Sequence, residues 1–272
     1  MEKNDFITGE KFITLADMVY YPKGADDANP LENTFCFGGL KELSIVYTHT
    51  LYVKKLFELI DRIKARFIVI THNCDEIVDD SYVVPGNVIK WFAQNVAISN
   101  PKIESIPIGL ENERWFRKLN KKDKMISKLS ENRRLKNLVY VNCNINTNPL
   151  QRNPVYWFFE GKENATIESG TNGKNFDEYL DNIYNHKFVA CPEGNGIDTH
   201  RTWETLYMGS IPIEKRNINN GFYRDLPICF VDEWAICTPE FLNSEYLRIK
   251  KENWNLEKLT FSYWEKKIRD VH

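Results

Sequence analysis

The groups most able to do chemistry lie in one block, residues 188–213, which reads FVACPEGNGIDTHRTWETLYMGSIPI. An apolar run typical of a strand leads into a loop of small and polar residues, and a helix can begin at Asp198 or Thr199. Gly194 and Gly196 favour positive φ angles and let another group approach the backbone closely. Because free amide groups at the start of a helix attract anions, the block predicts a phosphate-binding turn.

Two charged residues in the early turns of this helix indicate a larger anionic ligand. Arg201, Glu204 and Thr205 recur at three- and four-residue spacing and therefore share one helical face. A planar guanidinium suits the oxygens of a phosphate, and a carboxylate accepts hydrogen bonds from sugar hydroxyls. This combination predicts binding of a diphosphate joined to a ribose. The alternative is an ordinary surface ion pair worth a few tenths of a kcal/mol.

Three strings of residues in this part of the chain and three in an earlier part match a known pattern. The later strings are Cys191-Pro192-x-Gly194, Arg201-x-x-Glu204 and Gly209-x-Ile211-Pro212-Ile213. The earlier strings are Thr71-His72-Asn73-Cys74-Asp75, Trp91-Phe92-Ala93-Gln94-Asn95 and Ile106-Pro107-Ile108-Gly109-Leu110-Glu111-Asn112. The later strings resemble the nucleotide-binding signature of exostosin-like glycosyltransferases, and the earlier ones resemble the acceptor-side half of bacterial and viral members. The resemblance extends over residues 66–214.

The resemblance implies a glycosyltransferase with an α/β fold, in which two Rossmann-like domains face a cleft in a compact GT-B arrangement. Such an enzyme moves a sugar from a nucleotide diphosphate sugar, its co-substrate, to a hydroxyl group of an acceptor. Arg201 is expected to neutralise the diphosphate, and Glu204 is expected to hold the ribose. The full set of expected donor-binding residues is Asn144, Arg152, Glu193, Asn195, Asp198, Thr199, His200, Arg201 and Glu204. For Asn144 and its neighbours, the alternative is that they form Asx turns and cap the next helix.

A sugar transfer that inverts the anomeric centre also needs a base to deprotonate the acceptor hydroxyl. Asp75 and His72 are the candidate catalytic residues, because they follow the predicted strand 66–71. His49, after another predicted strand, is a weaker candidate. The alternatives are that His72 is a structural residue with both nitrogens bonded and that Asp75 caps a helix.

Neighbouring carboxylates in the same region raise the possibility of a metal site. Asp75-Glu76 and Asp79-Asp80 could hold magnesium against a diphosphate, but no Asp-x-Asp follows a predicted strand. Since Arg201, the helix start and the loop amides can offset the charge of the leaving group, we expect a reaction without metal or cofactor.

The order of elements along the chain alternates between strands and helices, which predicts parallel sheets covered on both faces. We expect an acceptor-side Rossmann-like domain over residues 1–125, a donor-binding Rossmann-like domain over residues 126–255, and a C-terminal helix, 256–272, that crosses back to the first domain. Within the first domain, the pattern predicts strands at 11–20, 43–48, 66–71, 96–99 and 103–108 and helices at 51–64 and 88–95.

The composition indicates the class of protein and its compartment, but not its activity. The six cysteines have no CxxC pair or zinc spacing, so they are expected to be reduced core residues. The chain has neither an apolar run of membrane-spanning length nor a charged-then-apolar leader, which predicts a cytoplasmic enzyme without a membrane span.

The sequence leaves more than one class of acceptor open. A basic stretch over residues 113–136 is expected to be a solvated connector helix, or else a patch that attracts a polyanionic acceptor or a membrane surface. The acceptor is therefore either a glycan or hydroxymethylated DNA, as in phage glycosyltransferases of similar architecture. A third possibility is a sugar-nucleotide or glycan-binding module that lacks catalysis.

Overall fold

Two parallel five-stranded sheets form the frame of the computed structural model, which describes residues 5–25, 30–112, 121–169 and 176–272. The first sheet has its strands in sequential order and consists of β1 (Met18–Val19), β2 (Ser44–Thr48), β3 (Phe67–Thr71), β4 (Val88–Ala93) and β5 (Ile103–Ser105). The second sheet has the order β10-β9-β8-β6-β7 and consists of β6 (Asn137–Cys143), β7 (Ala165–Ser169), β8 (His186–Ala190), β9 (Ile211–Lys215) and β10 (Cys229–Val231). The predicted α/β class with parallel sheets is therefore confirmed.

Eight α-helices in the described ranges connect and cover these strands. They are α1 (Gly9–Ile13), α2 (Val53–Ile60), α3 (Lys121–Leu129), α4 (Pro149–Phe159), α5 (Phe176–Tyr184), α6 (His200–Tyr207), α7 (Pro239–Lys251) and α8 (Phe261–Arg269). Asn148, Thr238 and Thr260 cap α4, α7 and α8 with their side chains. Among the helices that the structure describes, none is long and apolar enough to cross a membrane.

The strand order of the second sheet reverses between β6 and β8. These two strands are direct neighbours, with Val139 paired to Phe188, whereas β7 lies on the outer side of β6. In open parallel sheets of this Rossmann-like kind, ligands bind beyond the carboxyl ends of the strands at such a switch point. The loops that follow Cys143 and Ala190 are therefore the first place to look for a site.

The C-terminal segment packs against the beginning of the chain. Tyr207 of α6 accepts a hydrogen bond from the Ile7 amide at 3.1 Å and donates one to the Leu259 carbonyl at 3.0 Å. The rings of Phe12 and Phe261 lie 5.5 Å apart. Helix α8 therefore lies beside α1 and the first sheet, while the domain boundaries at residues 125 and 255 stay predictions.

Three predictions for the first half are wrong. Residues 88–93 form strand β4 instead of a helix, because this apolar run is buried between β3 and β5 and periodicity alone does not separate a buried strand from a buried helix. Residues 11–20 contain the end of α1 and only two strand residues, and α1 buries Phe12. Residues 96–99 form no strand, since Val96 makes only an isolated bridge to Val78.

Three lysines in the described part of the basic connector form ion pairs with acids of α5. Lys124 of α3 binds Asp177 at 2.8 Å, and Lys128 binds Asp181 at 2.7 Å. Lys136 also pairs with Asp181. These ion pairs fasten the connector to α5, whereas Arg114, Arg117 and Lys118 lie outside the described residues.

Candidate functional site

Two side chains of the β6 to α4 segment fix the loops on either side of the switch point. Arg152, which is only 7% exposed, donates from Nη1 to the Asn144 carbonyl at 2.6 Å and from Nε to the Glu193 carbonyl at 3.0 Å. Asn148 donates from Nδ2 to the Gly194 carbonyl at 2.8 Å. One guanidinium therefore holds the two loops together.

The two glycines of the second loop are needed for close contact and not for a special backbone angle. Neither Gly194 nor Gly196 adopts the positive φ that a glycine permits. A β-carbon at Gly194 would lie 2.8 Å from Nη2 of Arg152, and one at Gly196 would lie 2.5 Å from Nδ2 of Asn95. The groups that approach this backbone are therefore side chains of the protein itself.

Arg201 lies beside the switch point, and one hydrogen-bond donor of its guanidinium has no partner among the described residues. Its guanidinium carbon lies 6.0 Å from the centroid of the Tyr179 ring, and its Nε is buried without a hydrogen-bond partner in the described part of the chain. Burial raises the pKa of the Cys143 thiol at the end of β6, against the opposing charges of Arg201 and Arg152. Burial also lowers the pKa of Arg152, and the charge of Arg201 contributes to that shift. The guanidinium groups of Arg201 and Arg152 therefore both lie near Cys143, at the carboxyl end of β6.

Glu204 lies next to Arg201 but is held by another residue. Its Oε2 accepts a hydrogen bond from the Tyr179 hydroxyl at 2.6 Å, and the carboxylate side chain is 6% exposed. Burial raises the pKa of Tyr179 well above its ordinary value, so the phenol stays protonated and donates. None of the ion pairs between described residues joins Arg201 to Glu204, so the alternative of an ordinary surface pair does not describe this site.

Asp198 and His200 at the amino end of α6 bind the backbone of the first half. Asp198 accepts the Ile108 amide at 2.8 Å, and His200 Nδ1 lies 2.7 Å from the Gly109 carbonyl. Burial raises the pKa of Asp198 to about 6. Both side chains of this predicted donor-binding pair therefore connect the loop after β5 to the start of α6.

The other predicted donor-binding residues differ in their hydrogen bonds and in their exposure to solvent. Asn144 forms an Asx turn by accepting the Asn146 amide at 3.1 Å, as the alternative interpretation expected. Glu193 accepts from Asn217 Nδ2 at 3.0 Å, and burial raises the pKa of its carboxyl. Asn195 is exposed.

Thr199 occupies the N-cap position of α6 without capping it. Its side chain makes no capping hydrogen bond to the amides of the first turn. Amides at the start of a helix are donors that need an external acceptor. The amide of Thr202 donates to the Thr199 carbonyl at 3.1 Å, and anion binding at this end of α6 stays a prediction.

His72 has both ring nitrogens engaged. Nδ1 accepts the Asn73 amide at 2.7 Å, which makes Nε2 the protonated nitrogen that donates to the Pro107 carbonyl at 3.0 Å. Burial lowers the pKa of the ring to about 4. The imidazole thus stays neutral and has no free lone pair in this arrangement, which agrees with the structural alternative for His72.

Asp75 is exposed and lies one residue from a bridge to α6. Asn95 donates from Nδ2 to the Cys74 carbonyl at 3.2 Å and accepts the Asp198 amide at 2.9 Å with Oδ1. A single side chain therefore connects the loop after β3 to the loop before α6. This connection brings Asp75 to the same side of the molecule as the switch point.

A second buried bridge involves Asn219. Its Oδ1 accepts the Val96 amide at 2.9 Å and the Ser105 hydroxyl at 2.8 Å, and Asn219 is 2% exposed. The Tyr223 hydroxyl lies 2.9 Å from the same serine oxygen. Asn219 therefore satisfies two donors of the first half with one atom of the second.

We expect Asn219→Ala to lower the free energy of unfolding by about 2 kcal/mol, because the Val96 amide and the Ser105 hydroxyl would lose their buried acceptor. Denaturant titration measures the change. Asn243→Ala, on an exposed face of α7, is the matched control and should shift stability by less than about 0.5 kcal/mol. Equal effects of the two substitutions would contradict the bridging role.

Sequence reasoning missed Tyr179, Glu214 and Asn219, which shape this region, whereas Asn95 belongs to one of the matched strings and Asn142 to the polar string around Asn144. Only their positions could have indicated the three missed residues, because Glu214 lies at the carboxyl end of a predicted strand and the others lie on connecting segments. Within the described ranges, no three His, Cys, Asp or Glu side chains group together as metal ligands.

A scan against models of protein families finds none that matches this chain, and a search of curated proteins finds no matching relative. What the protein does is therefore inferred from the residues at the switch point and from the strings that resemble exostosin-like glycosyltransferases.

Proposed function

We propose that this protein is a glycosyltransferase that moves a sugar from a nucleotide diphosphate sugar to a hydroxyl acceptor without a bound metal. In this proposal the two sheets belong to Rossmann-like domains that face a cleft in a compact GT-B arrangement. The observation that supports it most is Arg201, whose buried Nε has no hydrogen-bond partner among the described residues beside the switch point. A desolvated donor of this kind is costly unless a ligand satisfies it.

The proposed sugar transfer depends on the charged groups around the switch point. The acceptor oxygen bonds to the anomeric carbon of the donor while the bond from that carbon to the diphosphate breaks. Arg201 and the uncapped amides of α6 stabilise the negative charge that develops on the leaving diphosphate. The acceptor proton passes to Asp75, because His72 uses both ring nitrogens within the protein.

A glycan is the proposed acceptor. Lys124, Lys128 and Lys136 are paired with acids of α5, which weakens the attraction of the described basic stretch for a nucleic-acid backbone. The proposed location is the cytoplasm, where the four buried thiols would stay reduced.

The proposal is tested by a thermal-shift screen of nucleoside diphosphate sugars. A donor present at a hundred times its dissociation constant should stabilise the protein by about 2.7 kcal/mol. The stabilising donor is then incubated with candidate oligosaccharides, and release of nucleoside diphosphate is followed with and without a chelator. We expect turnover to be unchanged by the chelator.

Three outcomes would contradict the proposal in different ways. Absence of stabilisation by every nucleoside diphosphate and sugar donor would exclude the donor site. Donor binding without transfer to any acceptor and without slow hydrolysis would instead support a sugar-nucleotide-binding module. Strict dependence on added magnesium would contradict the metal-free reaction.

A further inference from the structure

Asn142, the penultimate residue of β6, has a buried acceptor atom that its surroundings do not use. Its side chain is 1% exposed, and Oδ1 meets no hydrogen-bond donor among the residues that the structure describes. A buried amide oxygen without a donor is costly, because it has lost its hydrogen bonds to water. Among the described residues, this atom at the switch point is therefore left to accept a hydrogen bond from a bound ligand.

The identity of this atom as an oxygen is fixed by its neighbours. Nδ2 of Asn142 donates to the Tyr140 hydroxyl at 2.7 Å and to Oε2 of Glu168 at 3.1 Å. The Tyr140 hydroxyl itself donates to Glu168 at 2.6 Å, so both acceptors face the amide nitrogen. Turning the amide over would place its oxygen against a carboxylate, which electrostatics disfavours. The missing partner is therefore a hydrogen-bond donor.

Asn142 and Arg201, which carry the unsatisfied atoms, contact two neighbouring tyrosines, Asn142 the hydroxyl of Tyr140 and Arg201 the ring of Tyr179. The ring of Tyr140 lies 6.4 Å from the ring of Tyr179, and the Arg201 guanidinium carbon lies 6.0 Å from the latter. A donor, Nε of Arg201, and an acceptor, Oδ1 of Asn142, thus remain unpaired around this tyrosine pair. A hydroxyl group can accept from the first and donate to the second.

We propose that Asn142 is a donor-recognition residue whose Oδ1 accepts a hydrogen bond from a ribose hydroxyl of the bound nucleotide. The inference rests on the proposed function, since it requires a diphosphate at Arg201. The ribose is favoured over the base because it is joined directly to the diphosphate and therefore reaches the tyrosine pair first. The protein should consequently prefer ribonucleotides to the deoxy forms.

The experiment compares UDP and GDP with their 2′-deoxy and 3′-deoxy forms by calorimetric titration, with inorganic pyrophosphate as a probe of the Arg201 site alone. Wild-type protein should bind one deoxy form of its preferred nucleotide about tenfold more weakly than the ribonucleotide. Asn142→Leu, which keeps the branching at Cγ and removes both polar atoms, should bind the ribonucleotide about tenfold more weakly and no longer discriminate. Its affinity for pyrophosphate should equal that of the wild type.

Tyr140→Phe is the matched control, because it removes a neighbour of Nδ2 and leaves Oδ1 in place. It should keep the discrimination. Equal binding of ribo- and deoxynucleotides by the wild type would overturn the assignment, even if Asn142→Leu did not fold. Discrimination that persists in Asn142→Leu, or that follows the base instead of the hydroxyl, would overturn it as well. Failure of the wild type to bind pyrophosphate and both nucleotides would instead remove the proposed function.

Discussion

Replacing Arg201 by glutamine should weaken the binding of nucleoside diphosphates about a hundredfold, since the diphosphate would lose its charge-assisted hydrogen bonds in a desolvated crevice. Arg201→Lys keeps the charge and loses the planar fork, so we expect an intermediate loss of about tenfold. Binding of pyrophosphate should fall in the same order. Titration calorimetry at two salt concentrations measures all three proteins.

Arg248→Gln is the matched control for this series. Arg248 lies on α7 and binds Glu245 and Glu252 at 2.8 and 2.7 Å, so the same chemical change removes only exposed ion pairs. It should leave nucleotide affinity unchanged. If Arg201→Gln instead lowered the melting temperature and left the affinity of the folded protein intact, Arg201 would be a structural residue.

Local sequence patterns predicted the segment that contains the candidate site. The segment from β8 through α6 has the strand, loop and helix expected of residues 188–213. These elements alternate short buried strands with amphipathic helices, and glycine or polar residues separate them. In contrast, β4 is buried on both sides by its neighbours, and only the tertiary structure distinguishes it from a helix.

The candidate site was predictable where it depends on spacing along one helix. Arg201 and Glu204 share a face because they are three residues apart, and both contact the ring or hydroxyl of Tyr179. The partners of Asp198 and His200 were not predictable, because they are backbone groups about ninety residues away in the chain. No local pattern encodes such a distant partner.

The surroundings of Glu214 also depend on tertiary structure and could not be predicted from local sequence. This residue of β9 accepts hydrogen bonds from the Thr202 hydroxyl and, at 3.2 Å, from Nδ2 of Asn220. Burial raises the pKa of its carboxyl to about 7, and the nearby charge of Asp198 contributes to the rise. The ionised form is therefore disfavoured in the folded protein, directly beneath the first turn of α6.

Glu214→Gln should consequently make the protein more stable at high pH and leave it unchanged at low pH. The folded pKa of about 7 exceeds the ordinary value of 4.5, so the folded state binds the proton more tightly and stability falls as pH rises from about 4.5 to 7. Glutamine mimics the protonated acid, because its amide can donate to Thr202 and accept from Asn220. Above pH 7 the variant should gain on the order of 3 kcal/mol in the free energy of unfolding, measured by urea titration at pH 4.5, 6 and 8. Because the charge of Asp198 contributes to the raised pKa of Glu214, part of this gain comes from removing the repulsion between the two carboxylates. A difference that is the same at every pH would show that Glu214 does not bind a proton on folding.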